Sequence, residues 1–390
     1  MGRSMTGSDF AARFDALHEQ AAAAAGFDDF GPTDYYRGLR VLLDALDEGP
    51  RLGLVAEASA MGTIVSALVG RLWSQAGWNA HPEFAAQPIE RPLIIIGLPR
   101  TGTTALHQLL SLDPQFQGLE RWLTGTPMPR PPRAAWATHP VYQAAVQRIE
   151  AFRAVAPHVA AAHWAEADDV DECLVDMAQS FVCNWFPSNL DVPAYDAWFR
   201  AQDETGSFLR HRQVLQLVGL GDERRWLLKN PSHVFGAEAL LNAFPDACVV
   251  QTHRHPAQAL SSLMSLLGDI RDLQVGAPID RERVMARELS FWAQAADRGM
   301  AAQARHPERF VNVRHDQIRR DPLAVVQAIY QHFGLELSPE AERRMRRWSR
   351  QNKPKPAGRV SVATARDGGV VAEAFSAYID RYDLAGERVG

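Results

Sequence analysis

The stretch Ile96-Gly97-Leu98-Pro99-Arg100-Thr101-Gly102-Thr103-Thr104 carries the densest chemistry in the sequence. It follows a short apolar run and opens a helical pattern, a setting in which backbone N–H groups converge on an anion. Gly97 and Gly102 allow the close backbone approach that such a cradle needs. Their spacing, with Thr104, fits the nucleotide-hydrolysing pattern G-x-x-x-x-G-K-[ST], but Thr103 stands in the lysine place. A γ-phosphate and its magnesium normally require that lysine, so the loop reads as built for a smaller charge. Arg100 can bring a guanidinium to a bridging oxygen instead. Two further strand ends, Leu228-Lys229-Asn230 and Thr252-His253-Arg254, offer cations and no carboxylate to hold magnesium. The pattern describes a cationic, metal-free anion site.

Strands must carry these corners. Leu93–Ile96 is a continuous apolar run between Pro92 and the loop, typical of a strand buried on both faces. Helical Thr104–Leu112 follows it. Trp226–Leu228 leads into helical His233–Phe244, Cys248–Thr252 into Ala257–Leu267, and Arg309–Val313 into Pro322–Phe333. Strands alternating with helices predict right-handed crossovers and a parallel sheet. Before them, residues 1–88 read as helices at Phe10–Ala25, Tyr36–Leu46 and Ala56–Ala76. Residues 89–350 form the α/β unit, with a helical cap inserted at about 119–222 over the strand ends, where parallel sheets bind ligands. Residues 351–390 read as a loop and helix, the Gly/Pro/Lys/Arg-rich Lys353–Val370 being the loop that closes on ligand.

On these residues the sequence resembles the sulfotransferases dependent on 3′-phosphoadenosine-5′-phosphosulfate (PAPS), in the bacterial branch whose loop reads P-R-[ST]-G-T-T. The resemblance runs from about Arg91 to about Gly334. It implies a P-loop-NTPase-like three-layer α/β fold with a central parallel sheet. It also implies that Arg100, Thr101, Gly102, Thr103 and Thr104 bind the 5′-phosphosulfate. A second signature of that family, an arginine at a strand end and a serine eight positions on, binds the 3′-phosphate; here these are Arg254 and Ser262. A guanidinium fork and a hydroxyl donor suit a phosphate carrying nearly two charges. The reaction implied is sulfonyl transfer from PAPS to a hydroxyl of a small-molecule acceptor, releasing 3′-phosphoadenosine 5′-phosphate (PAP).

Such a transfer resembles phosphoryl transfer, with in-line attack and charge growing on the leaving oxygen. Arg100 and Lys229 are placed to hold that oxygen. The acceptor proton needs a base, for which His233 is the first choice: it follows a strand end, and imidazole titrates near neutrality. Similar bacterial sequences carry a like Lys-x-Pro-x-His. Glu120 is the rival, although relatives often show Trp-Glu where this chain has Trp122-Leu123; a pairing of Glu120 with Arg121 or Arg133 is the alternative. In the region of Arg314-His315-Asp316, many relatives carry Tyr-Glu-Asp, whose tyrosine seats adenine, which implies a similar stacking role for His315. Lys353, Lys355 and Arg359 are candidate phosphate clamps. The acidic run Glu166, Asp168, Asp169, Asp171 and Glu172 reads as a solvated helix start, with only Glu172 facing inward. Trp136, Phe152, Trp164, Phe181, Trp185, Phe186, Trp198 and Phe199 fit either an apolar acceptor pocket or a packed core.

The bulk numbers set outer limits. With 390 residues, 46% hydrophobic and 22% charged, the chain is globular. A net charge of −5 gives no global attraction to nucleic acid or to an anionic membrane. Cys173, Cys183 and Cys248 lack close ligand spacing, so structural zinc is not expected and a reducing cytoplasm is compatible. No stretch is read as long and apolar enough to span a bilayer. Met1–Thr6 formally fits a myristoylation pattern, but an alternative start before Met5 explains it better, the pattern being short and at a terminus. Two other functions remain: an ATP-dependent small-molecule kinase, and a PAPS- or PAP-binding module without transfer. Oligomeric state stays open, a homodimer included.

Overall fold

Ile94 and Ile96 point to one side of a strand, Leu93 and Ile95 to the other, and all four are fully buried. A strand with no polar face has to sit inside a sheet covered on both sides. In a computed structural model, which describes residues 9–162, 166–352 and 364–386, this strand, β1 (Leu93–Gly97), is the centre of five. The others are β2 (Phe116–Gly118), β3 (Arg225–Lys229), β4 (Cys248–His253) and β5 (Phe310–Arg314). Their order is β2-β3-β1-β4-β5, and every neighbouring pair is parallel. Leu93 lies opposite both Leu227 and Cys248, so the ends of β1, β3 and β4 come level. The loop after Gly97, Lys229 and the Arg254 corner therefore share one edge of the sheet.

One apolar layer packs on Leu93, Ile95, Leu227 and Val250 and includes Val326, Ile329, Ala341 and Met345. These come from the helices Pro322–Phe333 and Pro339–Gln351. The opposite layer packs on Ile94, Ile96, Leu228 and Val249 and runs from Phe10 to Leu384. It joins the three N-terminal helices α1 (Phe14–Ala25), α2 (Tyr36–Glu48) and α3 (Leu54–Ala80) to the cap and to the helices Pro256–Val275 and Arg281–Arg305. This is the expected three-layer α/β arrangement.

Three expectations need correction. Helix α3 has 27 residues and a mean hydropathy of 1.3 over its most apolar window, so by length and composition one helix could cross a bilayer. Its apolarity has a local cause: Ile64, Leu68 and Leu72 are fully buried, and α1 packs along it. The helical stretch expected at His233–Phe244 is a 3-10 turn, Pro231–Val234, followed by the helix Ala237–Ala243. The stretch Lys353–Val370, read as a closing loop, is already helical from Thr364, in the helix Thr364–Ala374, and the helix expected within 351–390 continues at Ser376–Arg381. Val371, Phe375, Tyr378 and Ile379 bury a helical stripe there, which the Gly- and Arg-rich composition upstream concealed. Lys353, Lys355 and Arg359 lie outside the described residues.

Candidate functional site

The turn after β1 reaches its shape through three left-handed residues: Gly97 (φ 138°), Arg100 (φ 64°) and Gly102 (φ 93°). At Gly97 a Cβ would stand 2.4 Å from the Thr252 carbonyl oxygen, so only glycine lets β1 and β4 close there. Arg100 takes the same region with a full side chain, an uncommon conformation that an anion-binding turn can justify. Thr101 is fully buried, its hydroxyl donating to the Leu98 carbonyl (2.6 Å) and meeting Thr252 Oγ1 (2.6 Å). That side chain braces the loop, which leaves its backbone as the part able to face a ligand. Helix Thr103–Leu110 (α4) starts directly afterwards, and its first N–H groups have no partner within the helix.

The two cationic corners meet. Arg100 Nε donates to Ser262 Oγ (3.0 Å), and Arg254 Nη1 donates to the Arg100 carbonyl (3.0 Å). Arg254 Nε also donates to Gln258 Oε1 (3.2 Å). His315 completes the group, because a Cβ on Gly102 would approach its ring at 3.2 Å. Burial and the neighbouring Arg254 hold the His315 imidazole down at about 4, so it is neutral at pH 7. Burial also lowers the Arg100 guanidinium, against the pull of the nearby Glu172 carboxylate.

At the end of β3, Lys229 is 2% exposed and its ammonium donates to Glu172 Oε1 (2.5 Å) and Thr104 Oγ1 (3.3 Å). Glu172 keeps 24% of its side chain exposed. The carboxylate, the ammonium and the α4 hydroxyl thus stand beside the loop. Behind them Cys173, His211 and His233 bring one thiol and two imidazoles within 4.8 Å, all buried. These three could share a metal ion, although Asp176 already engages His211 Nδ1 at 2.5 Å. Burial would lower the His211 imidazole, but the Asp176 carboxylate overrides it and raises it to about 10. His233 is 1% exposed, packed on the Phe208 ring, and held well below its ordinary range by burial and then by His211.

Glu120 is elsewhere. Its carboxylate receives Arg130 Nε (2.9 Å), not Arg121 or Arg133, and Arg130 also reaches Gln117 and Asp222. Burial raises the Glu120 carboxyl despite that pairing. The acidic run does not begin a helix. It is a loop in which Asp168 pairs with Arg133 (2.5 Å), Glu166 with Arg153 (2.9 Å) and Asp171 with Arg121 (3.7 Å). The aromatic residues split between two fates: Phe181, Phe186 and Phe199 are fully buried core, whereas Phe152 is 42% exposed. Trp164 lies outside the described residues. Asp176 and His211 had no local signal, since their partner lies 35 positions away.

Known proteins resemble this chain in sequence and fold. The family model described as the sulfotransferase family matches residues 92–339. A curated relative, the omega-hydroxy-beta-dihydromenaquinone-9 sulfotransferase Stf3 of Mycobacterium tuberculosis, is 26% identical over 257 residues, which is 63% of this chain. The chain spans only 63% of that relative's length. The crystal structure of sulfotransferase STF1 from Mycobacterium tuberculosis H37Rv is 37% identical, with a TM-score of 0.86, over 95% of this chain and all of that one. That of sulfotransferase STF9 from Mycobacterium avium is 26% identical, also at 0.86, over 98% of each.

Proposed function

Because this chain belongs to the sulfotransferase family, we propose that it moves the sulfonyl group of PAPS to a hydroxyl of a small-molecule acceptor and releases PAP. The observation that carries this reading is the contact between Arg100 and Ser262, with Arg254 on the Arg100 carbonyl, which joins the two anion-binding corners. A donor with phosphates at both ends of an adenosine needs such a pair. Backbone groups of residues 100–104 hold the phosphosulfate, while Arg254 and Ser262 hold the 3′-phosphate. His315 lies against the loop where an adenine ring could stack.

The donor supplies a sulfonyl group on a phosphate leaving group: the acceptor oxygen bonds to sulfur as the sulfur–oxygen bond to phosphate breaks. Lys229 and Arg100 neutralise charge on the departing oxygen. Glu172 takes the acceptor proton, being a partly open carboxylate beside Lys229. His233, the expectation from sequence, is enclosed and stripped of basicity by its burial. Glu172→Gln should lower kcat at least a hundredfold with PAP affinity kept, whereas His233→Ala should retain most turnover. The reverse pattern returns the role to His233. The reaction runs without a divalent ion, so a chelator leaves its rate unchanged. Three buried free cysteines support a cytoplasmic setting.

The test is calorimetric titration with PAP, then PAPS-dependent transfer screened over sterols, phenols, sugars and lipids. Magnesium-dependent ATP turnover without PAP binding would replace this reading with a kinase. PAP binding without transfer to any acceptor would leave a binding module.

A further inference from the structure

We propose that the cavity between the start of α3, the chain at 187–193 and the helices Pro256–Val275 and Arg281–Arg305 binds an amphiphile with a single anionic head, held by Arg271. The cavity measures about 610 Å³, within the ~300–1,000 Å³ usual for small-molecule sites. Its walls are largely apolar, including Leu46, Leu52, Leu190, Ile279 and Val284. Into it comes Arg271, 6% exposed, with no hydrogen bond or ion pair among the described residues and its Nε enclosed without an acceptor.

A buried guanidinium without a counter-ion is costly, so structures rarely keep one unless something binds it. The cavity's acids are already engaged. Asp196 takes Arg200 and Arg287 (both 2.7 Å), Asp191 takes Arg283 (3.2 Å), and Asp280 caps its helix by accepting from Arg283 N. Glu288, near Arg271, accepts from Arg287 (2.8 Å) and Trp292 (2.8 Å). Burial lowers the Arg271 guanidinium, and the more distant Asp191 and Glu288 only partly offset that. Arg51 also lines the cavity but is exposed to solvent, so among the described residues Arg271 is the one enclosed guanidinium of the lining left without an acid, which fits one carboxylate or sulfate in a bidentate pair. One turn further on, Gln274 donates to Asn189 Oδ1 (3.1 Å) while its own Oε1 has no donor. Val275, 39% exposed, lines the cavity, and Leu54 (88%) and Val55 (54%) are exposed apolar residues between the lining residues Gly53 and Ala56.

This site is separate from the loop. Arg271 lies nine residues beyond Ser262 on the same helix, about 14 Å along its axis. The inference does not depend on the proposed transfer reaction, although a sulfated apolar alcohol and a fatty acid share the required chemistry.

Calorimetry on the full chain with decanoate, decyl sulfate and 1-decanol, below their micellar concentrations, tests it. Both anions should bind at least tenfold more tightly than decanol, and the tighter of the two identifies the head group. Arg271→Gln should cost at least tenfold in anion affinity and leave decanol binding and PAP binding unchanged. Gln274→Glu places a negative charge beside the head group and should do the same, which keeps the test decisive if Arg271→Gln fails to fold. Equal affinity for decanol and the anions, or wild-type anion affinity in both variants, would overturn the proposal.

Discussion

Arg254 makes its interaction with the Arg100 carbonyl through one nitrogen and with Gln258 through another, so the guanidinium is aimed before any ligand arrives. Preorganisation of this kind spares a ligand the entropy of ordering a long side chain. A charge-assisted bond to phosphate contributes about 2 kcal/mol, so Arg254→Ala should weaken PAP binding about 30-fold. Arg254→Lys should recover only part of this, because an ammonium cannot reproduce the fork. Ser262→Ala removes a weaker donor and also the acceptor that orients Arg100; about a fivefold loss is expected, for about 1 kcal/mol. Titration calorimetry measures all three. Unchanged affinity in Arg254→Ala would remove the 3′-phosphate from this corner.

At the scale of elements, Gly97 sets how closely β1 and β4 approach at the loop. A methyl group there would meet the Thr252 carbonyl at 2.4 Å, in a backbone conformation that side chains rarely adopt. Gly97→Ala should therefore lose about 2 kcal/mol or more, seen as a lower urea midpoint at constant m. Gly125→Ala is the control, since a Cβ there meets nothing within 4 Å. The central elements were legible because β1, β3 and β4 each hold a run of three or more apolar residues and end in punctuated turns. Edge strand β2 was not, as three residues, Phe-Gln-Gly, carry no period. The loop and Arg254 could be read for the same reason that the strands could, since each corner is local in sequence. Glu172 was legible as the inward-facing acid of its run, beside Cys173-Leu174, but not as the partner of Lys229, since that tie spans 57 positions. Glu120 was misplaced because Arg130 returns to it from a proline-rich turn that no helical spacing announces.

Across the whole molecule, histidines should shape stability against pH. Burial lowers His107 to about 3 and His253 and His315 to about 4, and drives His233 well below its ordinary value. In unfolded chain each titrates near ~6.5. Below that pH the unfolded state binds protons that the folded state refuses, so stability falls as pH drops from ~6.5 towards 4. Glu204 opposes this with a single proton, being raised by burial to about 8, and four histidines outweigh it. On the alkaline side the sign reverses. His211 is raised to about 10, so the folded state holds a proton that the unfolded state has lost above ~6.5. Its contribution is complete below ~6.5 and disappears as pH rises through about 10, and Glu204 adds to the same loss up to about 8. Thermal midpoints should therefore peak near pH ~6.5 and decline on both sides. His211→Gln should flatten the alkaline decline above pH 8 and keep most of the acid one, easing only the part that His211 imposes on His233. A wild-type midpoint still rising between pH 7 and 9 would show that Asp176 and His211 do not carry the charge pair that their 2.5 Å contact describes.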